Sequence, residues 1–230
     1  MSVFALLDPA VRLAHDAVSA LAAVLPTALA IVLFTVCVRL ALHPLARAAA
    51  RGQKAQARLA PKVAELRRRH AKQPEKLQAA LTELYREEKA SPFAGCLPVL
   101  AQAPFFSVMY RLFTKPNDLL QHTVSGVPLG LHVNAAHGQG QLLVFGLLYL
   151  ALAAVGFLSF RNARRAVADP TAPGAALMPY LSFGTVLFAA LVPLAAGIYL
   201  LTTTAWSVAE RAWLHRDSRP VQPLAVQPAR

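Results

Sequence analysis

The chain has 230 residues, of which 56% are hydrophobic and 15% charged, with a formal net charge of +12 and a mean hydropathy of +0.45. That balance is too apolar and too poor in charge for an ordinary water-soluble domain. Two cysteines, Cys37 and Cys96, provide neither a disulfide framework nor metal-ligand spacing, and both read as small buried hydrophobes.

In chain order, the first feature is Asp8-Pro9, which reads as an N-cap followed by proline at the first helical position. Val11, Ala14, Val18, Leu21 and Leu25 then recur at steps of three and four, with Arg12, His15, Asp16 and Ser19 opposite. Residues 1–26 are therefore expected to hold a short amphipathic helix lying on the outer membrane surface, ended by Pro26. The N-terminus lacks a basic n-region and a small-residue cleavage site, so a removable signal peptide is not expected.

Five apolar segments follow, at 27–46, 96–113, 142–160, 175–192 and 194–213, each about the length a bilayer-crossing helix needs. Pro193 divides the last two. Between Arg39 and Ser91 lie thirteen lysines and arginines and only five acids, so thirteen minus five leaves eight of the twelve excess positive charges there. Segments rich and poor in basic residues alternate along the whole chain, which predicts an external N-terminus and a cytoplasmic C-terminus.

The basic stretch, residues 47–92, reads as a cytoplasmic helical hairpin. Leu59, Val63, Leu66 and His70 form one stripe, Leu77, Leu81 and Leu84 its counterpart, and Gln73-Pro74 separates them. Pro61 is expected to kink the first arm. Arg47, Arg51, Lys54, Arg58 and Lys62 lie along one face of that arm. They suit anionic lipid headgroups or ribosomal RNA, or serve only as a topology signal. Glycines and prolines make the loop around 114–141 irregular, and its His132 and His137, without acids or cysteines nearby, are not read as metal ligands. The tail, 215–230, is proline-rich and expected to be disordered.

Arg39 lies within the first apolar segment, twelve residues from Thr27 and so about 18 Å along it. Gln102 enters from the other side, about 9 Å into the second segment. In the last segment, Thr202, Thr203, Thr204, Trp206 and Ser207 begin about 12 Å from its outer end. Three helices thus bring polar groups to overlapping depth. The threonines also have the option of bonding back to their own helix, Gln102 of bridging helices and Trp206 of packing in the core. Arg39 differs, because Asp118, Asp169 and Glu210 belong at or beyond the segment ends and no other acid lies inside one. It is expected to be hydrated in a wet cavity.

The stretches VRLALHPLARAA (38–49), LAPKVAELRRRH (59–70), LTELYREEKASPFAGCLPVLAQAPFF (81–106) and MPYLSFGTVLFAALVPLAAGIYLLTTTAWSVAERAWL (178–214) resemble the YidC-type membrane protein insertases and their mitochondrial and chloroplast relatives. The arginine followed by Pro-Leu, the Leu-Tyr, the Gly-Cys-Leu-Pro turn and the Gln-x-Pro carry the likeness over about 27–214. It implies an all-α, polytopic membrane protein with five spans: residues 27–46, then four more within 93–214 after the hairpin. It also implies a hydrophilic groove, open to the cytoplasm and lipid, in which Arg39, Gln102 and Tyr199 match the family's positions. The family's Ser-Asn pair is Thr203-Thr204 here, its Asn-Pro is Ser91-Pro92, and its methionine after the glutamine is Ala103. With Trp206 from the depth argument, Arg39, Gln102, Tyr199 and Thr203 are the expected groove residues.

The function so implied is a membrane protein insertase and chaperone in the bacterial plasma membrane, resembling actinobacterial members. It would pass nascent membrane-protein segments into the bilayer, with membrane lipids, ribosome, Sec translocon and targeting receptor as the partners in view. Walker and Rossmann glycine spacings are both missing from the sequence, so no cofactor and no bond-making catalysis are expected. The alternative is a small solute transporter or channel binding an anion at Arg39, which would favour inverted repeats. A membrane-anchored adaptor acting through its hairpin is the third reading.

Overall fold

In the computed structural model the described residues are 7–88, 97–166 and 177–214, and they are almost entirely helical. The Ser91-Pro92 break, Gly95-Cys96, Asp169 and the 215–230 tail lie outside them. Helix α1 spans Asp8–Ala22, α2 Thr27–Ala41, α3 His43–Arg69, α4 Pro74–Glu87, α5 Leu97–Thr114, α6 Gln139–Ala166, α7 Gly184–Ala189 and α8 Leu194–Leu214. Of the described helices, Gln139–Arg164 alone is long and apolar enough by itself to cross a bilayer, at mean hydropathy 2.4. Its window is only 22% buried, so Leu143, Leu147 and Leu150 face outward.

The predicted amphipathic helix forms with the expected inner face, Ala14 and Val18 being buried. Asp8 does not cap it, however. Leu7 is the N-cap residue, and the Asp8 carboxylate instead accepts a hydrogen bond from Arg111 Nη2 on α5. A charge-assisted pair to a guanidinium outcompetes a cap to the helix's own N–H groups.

Helix α2 ends at Ala41, earlier than the 27–46 segment suggests, and α3 leaves it at a 58° bend. Pro44, in the first turn of α3, has no N–H for the carbonyl of Leu40, so the two helices cannot run on as one. The bend sits here, while α3 continues through Pro61, where the sequence reading put the kink. The chain turns back at residues 70–73, and α4 packs against α3, on which Leu59 is buried. The expected fourth segment is not one regular helix. A 3-10 stretch, Met178–Phe183, leads into the short α7, and Tyr180 and Phe183 pack on Phe160 of α6 at 5.1 and 5.6 Å between ring centroids. Cys37, read as buried, is exposed on the same α2 stripe as Leu29, Leu33 and Leu40.

The core gathers at one end of the bundle. It takes Ile31 from the start of α2, Met109, Leu112 and Phe113 from the end of α5, Phe145 from the start of α6, and Leu194 with Tyr199 from α8. The loop between α5 and α6 covers this end. Asn117 Nδ2 donates to Leu112 O at 2.6 Å and closes α5. A two-stranded hairpin pairs Thr123–Val124 with Val127–Pro128, and Ser125 and Gly126 at its tip have φ of 50° and 79°, the geometry that suits glycine. Leu129 O and Leu131 O then accept the N–H groups of Ala195 and Leu194 at 2.9 Å each, capping the first turn of α8. Gly197 brings α6 close to α8, since a β-carbon there would stand 2.6 Å from Leu148 Cδ2.

Helix α1 is tied to the same loop by His15 Nε2–Asp118 Oδ1 at 2.7 Å, and Thr27 Oγ1 meets His122 Nδ1 at 2.6 Å. The hydrogen bond to Asp118 raises the His15 pKa above its ordinary 6.5, and the same bond lowers that of Asp118 below 3.8. A raised histidine pKa stabilises the fold fully below pH 6.5 and ceases to do so as pH rises through the folded value. The lowered Asp118 pKa sets the acid limit, its contribution being lost as pH falls through its folded value. Amide exchange in α1 should therefore slow as pH falls from alkaline towards 6.5, after correction for the intrinsic rate. Asp118→Asn should abolish that change, and an unaltered pH profile in this variant would show that the contact does not hold α1.

Candidate functional site

At the end of the bundle away from the loop cap, the helices splay. Leu42, Ala46 and Gln53 along the bend and first turns of α3, Gln102 on α5, and Glu210 on α8 help to line an open cleft of about 120 Å³. Arg39 lies in its wall, on the last turn of α2.

Arg39 is not left to water, as the sequence reading expected. Its Nε donates to Thr203 Oγ1 at 3.0 Å, and its Nη2 donates to the same hydroxyl and to Thr203 O, the latter at 3.3 Å. The search for a counter-ion among acids overlooked a neutral partner, because a hydroxyl and a helix carbonyl give no charge signal in a sequence. Arg39 Nη1 has no hydrogen-bond partner among the described residues. The neighbouring Thr202, Thr204 and Ser207 bond to carbonyls of their own helix, at 2.9, 2.6 and 2.8 Å. Of the three consecutive threonines, Thr203 is thus the one that reaches across to α2.

Tyr199, one turn before Thr203, is buried among Phe105 and Phe113, with ring centroids 6.0 and 6.2 Å away. Its hydroxyl stands near Thr203 and Gln102 without a hydrogen bond of full geometry to either. Trp206 Nε1 is buried and also without a partner among the described residues. Of the five expected groove residues, Arg39 and Gln102 line the cleft, Thr203 holds Arg39, and Tyr199 and Trp206 stand outside the lining.

The sequence reading placed Ser207 in the polar patch but missed Gln53, Glu210 and Arg211, which also line the cleft. A signal for Glu210 was available. Ser207 and Glu210 follow Thr203 at steps of four and three, so they share its face of α8. Glu210 had been read at or beyond the segment end, whereas it lies inside α8, which runs to Leu214. Its side chain is only 10% exposed and bonds to His43 Nδ1 at 2.6 Å, across the α2–α3 bend. The His43 ring in turn packs on Trp213 at 5.3 Å.

The basic stripe divides in two. Arg47 lies over the Trp213 ring at 5.4 Å, Lys54 donates to Leu214 O at 3.0 Å, and Lys62 pairs with Glu88. A cation at the end of α8 meets carbonyls the helix cannot satisfy itself. Arg51 and Arg58 are exposed and form no ion pair or hydrogen bond among the described residues. No group of three or more His, Cys, Asp or Glu gathers among the described residues.

The cleft therefore offers two guanidinium groups, two amides, a hydroxyl and one carboxylate beside apolar walls, open at one end of a bundle sealed at the other. Such a surface can solvate a polar peptide segment next to lipid. The Arg39–Thr203 contact is testable by stability. Thr203→Val removes the hydroxyl at constant shape and should lower stability in detergent by about 1–3 kcal/mol, since it strands a partly buried charged donor. Thr203→Ser should melt close to the parent, and equal melting of the serine and valine variants would remove the hydroxyl from the account.

The family described as 60Kd inner membrane protein has a sequence model that matches residues 21–220. The membrane protein insertase YidC of Zymomonas mobilis is 29% identical over 213 residues, covering 84% of this chain and 35% of the relative. That of Burkholderia cenocepacia is 28% identical over 190 residues, covering 81% and 32%. That of Pelagibacter ubique reaches 42% over 84 residues, covering 36% and 15%. The chain spans about a third of the length of the curated relatives it matches over most of its own.

Proposed function

Because this chain belongs to the 60Kd inner membrane protein family, we propose that it is a membrane protein insertase and chaperone of the bacterial plasma membrane. The relatives bear the name of membrane protein insertase, and the observation that carries the reading to this chain is the half-open bundle with Arg39 in its cleft. The protein crosses the membrane five times, with its N-terminus outside, the α3–α4 hairpin and C-terminus in the cytoplasm, and the cleft facing inward. The sealed end, with α1 and the loop cap, lies outside.

The mechanism is one of solvation and charge. The polar leading part of a nascent segment enters the cleft, where Arg39, Gln53 and Gln102 replace its water. Only the sealed layer then remains to be crossed, so the barrier is lower than for unaided passage through the whole hydrocarbon core. The apolar part leaves sideways into lipid. The driving force is its own transfer from water, and no bond is made or broken. Thr203 fixes one edge of the Arg39 guanidinium, so its remaining N–H groups keep a set direction for an acidic group.

The test is insertion into vesicles of two single-span substrates that differ only in an acidic or neutral leading segment. Arg39→Ala should slow the acidic substrate about fivefold to tenfold more than the neutral one. Arg39→Lys should fall between, because lysine keeps the charge but cannot span both contacts to Thr203. Unimpaired insertion of both substrates by Arg39→Ala would overturn the electrostatic mechanism.

The hairpin docks on anionic headgroups through Arg51 and Arg58, the stripe residues without internal partners. Replacing both by glutamine should weaken binding to anionic vesicles and flatten its salt dependence. Arg47→Gln with Lys54→Gln should instead loosen the hairpin from α8. Undiminished vesicle binding after loss of Arg51 and Arg58 would leave the stripe as a topology signal.

A further inference from the structure

The insertase reading uses Arg39 and leaves unexplained the one carboxylate among the residues lining the cleft, Glu210. Its position is unusual for an acid. It lies seven residues beyond Thr203 on the same face of α8, about 10 Å along the helix towards its C-terminal end. The side chain is 10% exposed, and a carboxylate so placed requires a donor. Arg211 lines the same cleft but is its immediate neighbour in the helix, and adjacent helical residues do not face each other. The donor is His43, at 2.6 Å from the other side of the α2–α3 bend.

That partner is a weak one to commit permanently. An imidazole brings a full positive charge only when protonated, whereas a lysine or arginine brings one at any physiological pH. A cation arriving in the cleft would therefore compete well for Glu210, with His43, itself 21% exposed, free to turn towards water. The cleft also carries an order of charge along α8: Arg39, held at Thr203, lies deep, and the carboxylate of Glu210 lies near the open end, at the level of Arg211. The order is complementary to a segment with an acidic leading part and a basic trailing flank.

We infer that Glu210 is a specificity-determining contact that exchanges His43 for a lysine or arginine on the trailing flank of the inserting segment. The inference rests on the proposed insertase function. Glu210 retains the cationic flank at the cytoplasmic mouth while the apolar part moves into lipid, so the chain favours segments that finish with positive charge inside.

The experiment uses the full chain in zwitterionic vesicles, so that lipid charge does not attract the flank. Two single-span substrates are compared, identical but for two lysines or two glutamines on the trailing side. The parent should insert both, the lysine-flanked one faster. Glu210→Gln should slow the lysine-flanked substrate about fivefold and leave the other within about twofold. His43→Gln, which loosens the carboxylate without removing it, should retain the lysine preference. Equal slowing of both substrates by both variants would overturn the inference and give the pair a purely structural role. A parent that inserts neither substrate would remove the insertase reading first, and this inference with it. Should Glu210→Gln not fold, salt added to the parent decides: it should slow the lysine-flanked substrate selectively, and an equal response of the two substrates overturns the proposal.

Discussion

A guanidinium inside an apolar bundle has to be answered by something, and here the answer is a single threonine. Arg39 gives Nε and Nη2 to the hydroxyl and carbonyl of Thr203, which ties α2 to α8 at the level where the cleft begins. A carboxylate partner would have neutralised the charge. A neutral partner orients the group without forming an ion pair, and the carboxylate of Glu210 shares the cleft with it.

The second constraint is the uneven distribution of packing. Among the described residues, the buried apolar side chains of α2, α5, α6 and α8 fall in the halves nearest α1 and the loop cap, where Ile31, Phe113, Phe145 and Leu194 belong to one core. The loop contributes Leu119 and Leu129 to the same core and gives its own carbonyls to the first turn of α8. At the other end, α2 turns away at Pro44, and Leu42 and Ala46 line the open cleft. Closure at one end and opening at the other are thus consequences of where large side chains and one proline stand.

Much of this was legible in the sequence, and what was not has identifiable causes. The amphipathic α1 and the two helices on either side of residues 70–73 followed from helical periodicity, and helical rise placed Arg39 and Thr203 at a level where they meet. The bend was misplaced because two prolines compete, and only packing tells which is decisive. Pro61 lies in an arm held by α4, whereas Pro44 stands exposed in the first turn of α3. The fourth segment read as a helix from hydropathy, but Pro179 and the stacking of Tyr180 and Phe183 on Phe160 favour a tighter 3-10 path. Hydropathy does not report such aromatic contacts. Asp8 and Glu210 were assigned by local rules, cap and segment end, while their partners Arg111 and His43 are 103 and 167 residues away.

The bend at Leu42 does more than end α2. It swings the first turns of α3 across the C-terminal end of α8, so that His43 reaches Glu210, Arg47 covers Trp213, and Lys54 caps Leu214. Three contacts from one face of the arm thereby hold the open end of the cleft at a set width, and each uses a group that would otherwise belong to the basic stripe or to solvent. Cleft and hairpin are consequently one mechanical unit. The position of the arm and the opening of the cleft are in this way two results of a single bend.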